Sequence, residues 1–146
     1  MWLGVGALGL ALALRAAVAD GWAARADYLA QIRSSQEAAA AFRQAQRWDP
    51  WMGRYPIEHG VVLLQAGQIA RAAEQFSRAV SLSPWDARAW VSLGLSAWKL
   101  GRHDQALHAM QQAAGRDPTN PTIAAWLAQM RVRPQAARTS QQKEAR

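Results

Sequence analysis

A repeat of fixed length dominates the middle of this sequence. Five residues return in the same order after an interval of thirty-four positions. The first set is Gly60, Gly67, Ala72, Ala79 and Pro84, and the second set is Gly94, Gly101, Ala106, Ala113 and Pro118. A period of this length predicts a pair of antiparallel helices that stacks on further copies of itself.

Each recurring residue has a physical role in such a pair of helices. The first glycine allows the two helices to approach closely, and the second suits the turn between them. The two alanines keep the second helix thin, and the proline ends the unit because it cannot continue a helix. The spacing therefore predicts the same helical hairpin in both copies.

The more complete copy resembles the tetratricopeptide repeat family. Its matching residues are Trp90, Leu93, Gly94, Gly101, Ala106, Met110, Ala113 and Pro118. A degenerate copy near the start of the chain retains Trp22, Ala26, Leu29, Ala38, Phe42, Ala45 and Pro50. The resemblance implies an all-α, right-handed α-solenoid of about three helical hairpins, with a cap helix at about Pro121–Val132 and an apolar N-terminal helix before the repeats.

Polar residues and turn residues indicate where the helices begin. The pattern predicts helices at about 55–66, 70–82, 87–99 and 104–115. Ser34 stands before the second helix of the chain, while Asp86 and Asp104 stand where a capping side chain is expected. Asn120 is the predicted N-cap of the last helix, since Pro121 suits the first helical position.

The first nineteen residues differ from the rest, because Trp2–Leu14 is an uninterrupted apolar run. An A-x-A sequence ending at Ala19 suits a signal peptide, although basic residues are missing before the run. Arg15 could lie at the edge of a membrane anchor, and a helix packed against protein is a third interpretation. We divide the chain into a leader at 1–19, a repeat domain at 20–132 and a basic tail at 133–146.

The net charge of +7 suggests a nucleic-acid partner, but the charge is unevenly distributed. The chain up to Met130 contains twelve basic and nine acidic residues, whereas Arg131–Arg146 contains five basic residues and one acidic residue. Most of the excess therefore lies in the tail. A basic stripe on a folded surface is what nucleic-acid binding requires, so this partner is disfavoured.

The sequence predicts no catalytic residues, no metal site and no cofactor. Cysteine is absent, which excludes disulfides and cysteine nucleophiles. His59 occupies a position where the family has a core leucine, and His103 and His108 do not share a helix face. Trp51 and Trp85 each follow a proline that ends a unit, which favours a structural role for this pair. We therefore expect a protein that is not an enzyme.

The family resemblance also implies a concave groove lined by the first helix of each unit. The corresponding positions are Arg54, Ile57, Val61 and Leu64, then Arg88, Val91, Leu95, Trp98 and Lys99, with Ala125, Trp126 and Gln129 in the cap helix. Relatives that clamp a C-terminal carboxylate use Lys and Asn at several of these places, where this chain has Val, Leu and Ser92. An apolar floor with basic edges instead suits an amphipathic helix or an extended peptide that carries some acidic residues. Some of these side chains could also serve only to pack one repeat on the next.

Three functional hypotheses follow. The first is a non-enzymatic interaction scaffold, tethered to a membrane or exported to the cell envelope. The second rests on a weaker resemblance of the whole layout to the C-terminal end of bacterial O-antigen ligase or polymerase-like membrane proteins, and implies an accessory part of such a glycan system. The third is a head-to-tail filament subunit, because a solenoid has open ends and the apolar leader could occupy a neighbour's groove.

Overall fold

A computed structural model describes residues 3–32 and 34–131, with side chains described from Leu8 onwards. These ranges contain seven helices and no strand, which confirms the predicted all-α class. The helices are α1 (Leu3–Gln31), α2 (Ser35–Trp48), α3 (Arg54–Gln65), α4 (Ile69–Leu82), α5 (Ala87–Lys99), α6 (His103–Arg116) and α7 (121–131). The predicted tail at 133–146 lies outside the described residues.

The chain forms two compact units, Met1–Leu82 and Ser83–Arg146. In the first unit α1 packs on α2, α2 on α3 and α3 on α4. In the second unit α5 packs on α6, and Ile123 and Met130 of α7 join the same apolar core. The predicted hairpins are therefore present, whereas the predicted boundary after residue 19 falls inside the continuous helix α1.

The second glycine of each repeat ends the first helix of a hairpin. Gly67 and Gly101 have φ values of 73° and 75°, in the left-handed region that favours glycine. After α3, the Gln68 amide donates to the Leu63 carbonyl at 2.8 Å. The same pattern follows α5, where the Arg102 amide donates to the Ala97 carbonyl at 2.9 Å. These bonds satisfy carbonyls that a helix end leaves unpaired.

The first glycine of each repeat lies where two helices meet. A Cβ added to Gly60 would approach the ring of Phe76 in α4 to 2.5 Å, well inside contact distance. At Gly94 the nearest atom is the Ala106 carbonyl oxygen, 3.3 Å away. The recurring alanines of the second helices are fully buried, as the spacing predicts.

Two of the predicted caps are present and two are not. The Asp86 carboxylate accepts a hydrogen bond from the Arg88 amide at 2.9 Å, and the Asn120 side chain accepts from the Thr122 amide at 3.1 Å. Ser34 is the residue before α2 but forms no side-chain cap. Asp104 lies in the first turn of α6 instead of before it, because the helix begins at His103 and its N-cap is Arg102, two residues before Asp104.

The leucines of α1 between Leu8 and Leu14 are exposed. Leu8, Leu10, Leu12 and Leu14 are between 58% and 73% exposed, whereas Ala19 is fully buried. Within the described residues, no helix combines the length and apolar character needed to cross a membrane. Cleavage after Ala19 stays a prediction.

The structural role expected for Trp51 and Trp85 is wrong. Both side chains lie in turns between helices and are 79% and 73% exposed. A turn residue that follows proline need not direct its side chain to the core, so the repeated position alone did not show burial. Each indole is therefore a surface feature of its own unit.

Candidate functional site

Four of the predicted groove residues in the second unit pack against its core. Val91, Leu95 and Trp98 are spaced along α5 so that they share a helix face. Together with Trp126 of α7 they are half-buried and pack on a core that includes Met110 and Ile123. We call Val91, Leu95, Trp98 and Trp126 the α5–α7 surface.

Trp98 is held in place from the next helix. The His103 ring, at the start of α6, meets the Trp98 ring edge-on with 4.6 Å between ring centroids. An aromatic pair at this distance is favourable beyond the apolar area that it buries. The α5–α7 surface therefore has a rigid aromatic anchor, the kind of side chain that contributes most to binding at protein interfaces.

The two basic residues of α5, Arg88 and Lys99, differ in their contacts. Arg88 forms a two-point ion pair with the Asp86 carboxylate, with Nη2 of the guanidinium 3.0 Å from Oδ2. Burial of Asp86 opposes its ionisation, but hydrogen bonds from Arg88 outweigh this effect and lower the pKa of the carboxyl. Lys99 is exposed at the other end of α5. An acidic ligand group would compete with Asp86 for Arg88 but would meet Lys99 directly.

The α3 residues of the predicted groove belong to the first unit and differ in exposure. Ile57 is only 5% exposed, so its prediction as a groove residue is corrected: the side chain is part of the packed interior. Val61 is 37% exposed and Leu64 is half-buried. Arg54 is exposed, and its guanidinium lies 3.4 Å from the Asp20 carboxylate of α1.

Asp20 also joins α1 to α3 through a phenol. The Tyr55 hydroxyl donates to the Asp20 carboxylate at 2.7 Å. Burial, together with the charge of Asp20, raises the pKa of Tyr55 to about 12, so the hydroxyl keeps its proton at neutral pH. The Arg54 side chain is thus part of a contact with α1, and its role at a groove edge stays a prediction.

A basic cavity in the first unit was missed by the sequence analysis. It has a volume of about 420 Å³ and lies among α2, α3 and α4. Its charged lining residues are Arg43, Arg47, Arg71, Glu74 and Arg78. The arginines stand four apart on α2 and seven apart on α4, so each pair shares a helix face. This spacing is visible in the sequence, but a charge count over the whole body conceals it.

The second helices α2 and α4 supply most of this lining, whereas the family groove was assigned to first helices. We call this feature the arginine cavity. Within residues 3–32 and 34–131 no group of three or more histidine or acidic side chains is arranged to hold a metal ion.

Comparisons with known proteins bear on the repeat region and on the fold. The family profile described as "Tetratricopeptide repeat" matches residues 57–138, more than half of the chain. A search of curated protein sequences gives no match. Neither the profile nor the structures below connect the chain with O-antigen ligases.

Several solved structures are similar to the chain. The first TPR of Spaghetti (RPAP3), bound to the HSP90 peptide SRMEEVD, has a TM-score of 0.74 and 16% identity, over 79% of this chain and 91% of that one. The Sgt2 TPR domain from Aspergillus fumigatus has a TM-score of 0.75 and 18% identity, over 83% of this chain and 82% of that one. MamA from Desulfovibrio magneticus RS-1, residues 41 to the end, has a TM-score of 0.73 and 26% identity, over 85% of this chain and 70% of that one. Because the first two structures are only 16% and 18% identical to this chain, their similarity establishes the fold and nothing more.

Proposed function

Because the chain belongs to the tetratricopeptide repeat family, we propose that it is a non-enzymatic scaffold that binds an amphipathic helix or an extended peptide of a partner protein. The observation that carries this proposal is the α5–α7 surface. Its half-buried apolar side chains include Trp98, which the His103 ring contacts, and the exposed Lys99 follows Trp98 in α5.

The partner segment has a defined chemistry. Two or three apolar side chains would pack on Val91, Leu95 and Trp126, and one acidic side chain would approach Lys99. The similar RPAP3 domain binds a peptide that ends in acidic residues and valine. In this chain the α5–α7 surface is apolar where a carboxylate clamp needs polar donors, so we propose recognition of apolar side chains instead of a free C-terminus.

A selected peptide tests the proposal. Peptides chosen from a random library by the full-length protein would be measured by fluorescence anisotropy against the parent and two variants, Leu95→Gln and Trp126→Ser. Loss of one buried apolar anchor should weaken binding about tenfold or more. Trp85→Ala is the matched control, because it removes a large exposed side chain outside this surface.

The outcome is decided only for variants that keep the parent's helical circular dichroism. If folded Leu95→Gln and Trp126→Ser bind every selected peptide as tightly as the parent does, the α5–α7 surface is not the binding site. An equal loss with Trp85→Ala would also contradict the assignment.

We further propose that the exposed leucines of α1 attach the protein to a membrane of the cell envelope. Leu8, Leu10, Leu12 and Leu14 support this because a contiguous exposed apolar segment typically contacts lipid or another protein. Replacing Leu10 and Leu14 by serine should abolish flotation with lipid vesicles. If flotation is unchanged, while the replacement removes high-mass species in sedimentation, the leucines mediate self-association instead.

A further inference from the structure

The arginine cavity has an excess of positive charge among the described residues, with four arginines and one glutamate in its lining. Among the described residues, none of its four arginines forms an ion pair. The side chains of Arg71 and Arg78 donate to the amide oxygens of Gln68 and Gln46, at 2.6 Å and 3.1 Å. Because these acceptors are neutral, the two hydrogen bonds do not offset the positive charges of the arginines. Glu74 is the single acidic residue of the lining.

A buried histidine lines the same cavity, and its hydrogen bonds define which nitrogen carries the proton. The Gln46 amide nitrogen donates to His59 Nδ1 at 3.2 Å and to the Gln75 amide oxygen at 3.1 Å. Gln46 itself is held by Arg78, which donates to its oxygen. Since Nδ1 accepts a hydrogen bond, the ring proton of neutral His59 lies on Nε2.

The Nε2 atom of His59 has no hydrogen-bond partner among the described residues. The side chain is 3% exposed, so water in bulk does not satisfy this donor. Burial, opposed in part by the nearby Gln75 side chain and reinforced by the charges of Arg43, Arg71 and Arg78, lowers the pKa of His59 to about 4. At neutral pH the ring is therefore an uncharged donor. A buried donor without a partner is uncommon in folded proteins and indicates a missing ligand or water.

We propose that the arginine cavity binds a phosphate-bearing ligand, with arginines of α2 and α4 on its oxygens and His59 Nε2 as a further donor. Guanidinium groups bind phosphate through paired hydrogen bonds. A phosphate monoester carries nearly two negative charges and three acceptor oxygens, which suits several arginines better than one carboxylate does. The volume of about 420 Å³ lies in the range of small-molecule sites.

This site is independent of the proposed peptide surface. All of its lining residues belong to the first unit, and none is part of the α5–α7 surface. Phosphate binding can therefore fail while peptide binding holds, and the reverse is also true.

Titration calorimetry of the full-length protein with inorganic pyrophosphate tests the site. We expect one bound pyrophosphate per chain, and weaker binding of succinate at the same ionic strength. The variant carrying both Arg43→Gln and Arg47→Gln should lose affinity about tenfold or more. These two side chains make no hydrogen bond among the described residues, so their replacement should leave the fold intact. Arg102→Gln is the control for loss of a positive charge outside the cavity, because it removes one from an exposed residue of the second unit.

A second variant, His59→Leu, separates recognition from general attraction of anions. It removes the Nε2 donor while all four arginines remain, and should weaken pyrophosphate binding relative to succinate. The proposal is overturned if pyrophosphate does not bind at millimolar concentration, if succinate binds equally well, or if Arg102→Gln loses as much affinity as the double variant.

The source of the phosphate is distinguished with vesicles of phosphatidylcholine that contain phosphatidic acid. Vesicle binding that pyrophosphate displaces and the double variant lacks would identify a lipid headgroup. Pyrophosphate binding without such vesicle binding would identify a free phosphorylated compound. Both results support a phosphate site. If the double variant binds these vesicles as well as the parent does, the lipid contact lies outside the arginine cavity. Pyrophosphate binding alone then decides whether the cavity is a phosphate site.

Discussion

Gly60 shows how one missing methyl group allows two helices to pack. A Cβ at this position would lie 2.5 Å from the Phe76 ring, which is fully buried and cannot move aside. Gly60→Ala should therefore lower the free energy of unfolding by about 1–3 kcal/mol, as overpacking a core does. Gly115→Ala is the matched control, because no atom lies within 4 Å of the added Cβ in α6.

Urea unfolding followed by circular dichroism compares the two variants. Gly115→Ala should be neutral or stabilising by up to about 1 kcal/mol, since alanine favours helix. If both substitutions have the same effect, close packing at Gly60 is not what limits the residue there.

His59 should make stability depend on pH. Its pKa falls from 6.5 to about 4 on folding, so between these values the unfolded chain binds more protons than the folded chain does. The contribution is full above pH 6.5, decreases as the pH falls and is lost near pH 4. It amounts to about 3 kcal/mol at most.

The comparison that isolates this effect is His59→Leu measured from pH 7 to pH 4 by chemical unfolding. The variant should lose less stability over this interval than the parent does. Arg43, Arg71, Arg78 and Glu74 surround this position in both proteins, so their contribution is common to the two pH profiles. Parallel pH profiles for the parent and the variant would show that His59 is not buried in its neutral form.

Among the helix starts, Asp86 and Asp104 differ in whether the side chain caps the helix. Only Asp86 accepts a hydrogen bond from a backbone amide at its helix start. Asp86→Ala should destabilise the protein by about 1 kcal/mol, whereas Asp104→Ala should cost less because it loses only the interaction with the helix dipole. Thermal unfolding of the two variants checks the order, and a larger loss for Asp104→Ala would contradict it.

The helices themselves were largely predictable. The thirty-four-residue period located the hairpins of the two better copies, because each needs a glycine at a left-handed turn and a glycine at a helix contact. The predicted cap at Asp104 is two residues after the N-cap Arg102, since a helix can begin at any of several neighbouring positions. The exposure of Trp51 and Trp85 depends on how turns leave the core, and the period carries no information on that.

The candidate sites were less predictable than the helices. The α5 positions of the groove could be assigned from spacing, but the pairing of Arg88 with Asp86 and the burial of Ile57 required the structure. The arginine cavity brings together residues from three helices that are up to thirty-five positions apart. The sequence shows the arginine spacing within α2 and within α4, but only the packing of the helices shows that these arginines line one cavity.

For the whole molecule, the predicted tail carries much of the net charge but has no assigned part in the fold. Removing residues 138–146 should leave the melting temperature and peptide binding unchanged while it weakens attraction to anionic lipid or nucleic acid. Calorimetry and vesicle sedimentation would measure the two effects. A clear drop in melting temperature would assign the tail a structural role.

The most direct test of the scaffold proposal is a map of amide chemical shifts by NMR, recorded with the tightest peptide from the library selection. If the peptide binds the α5–α7 surface, we expect the largest shifts in α5 and α7, around Leu95, Trp98 and Trp126, with little change around the arginine cavity. Shifts confined to α2 and α4, or to the exposed leucines of α1, would contradict this expectation.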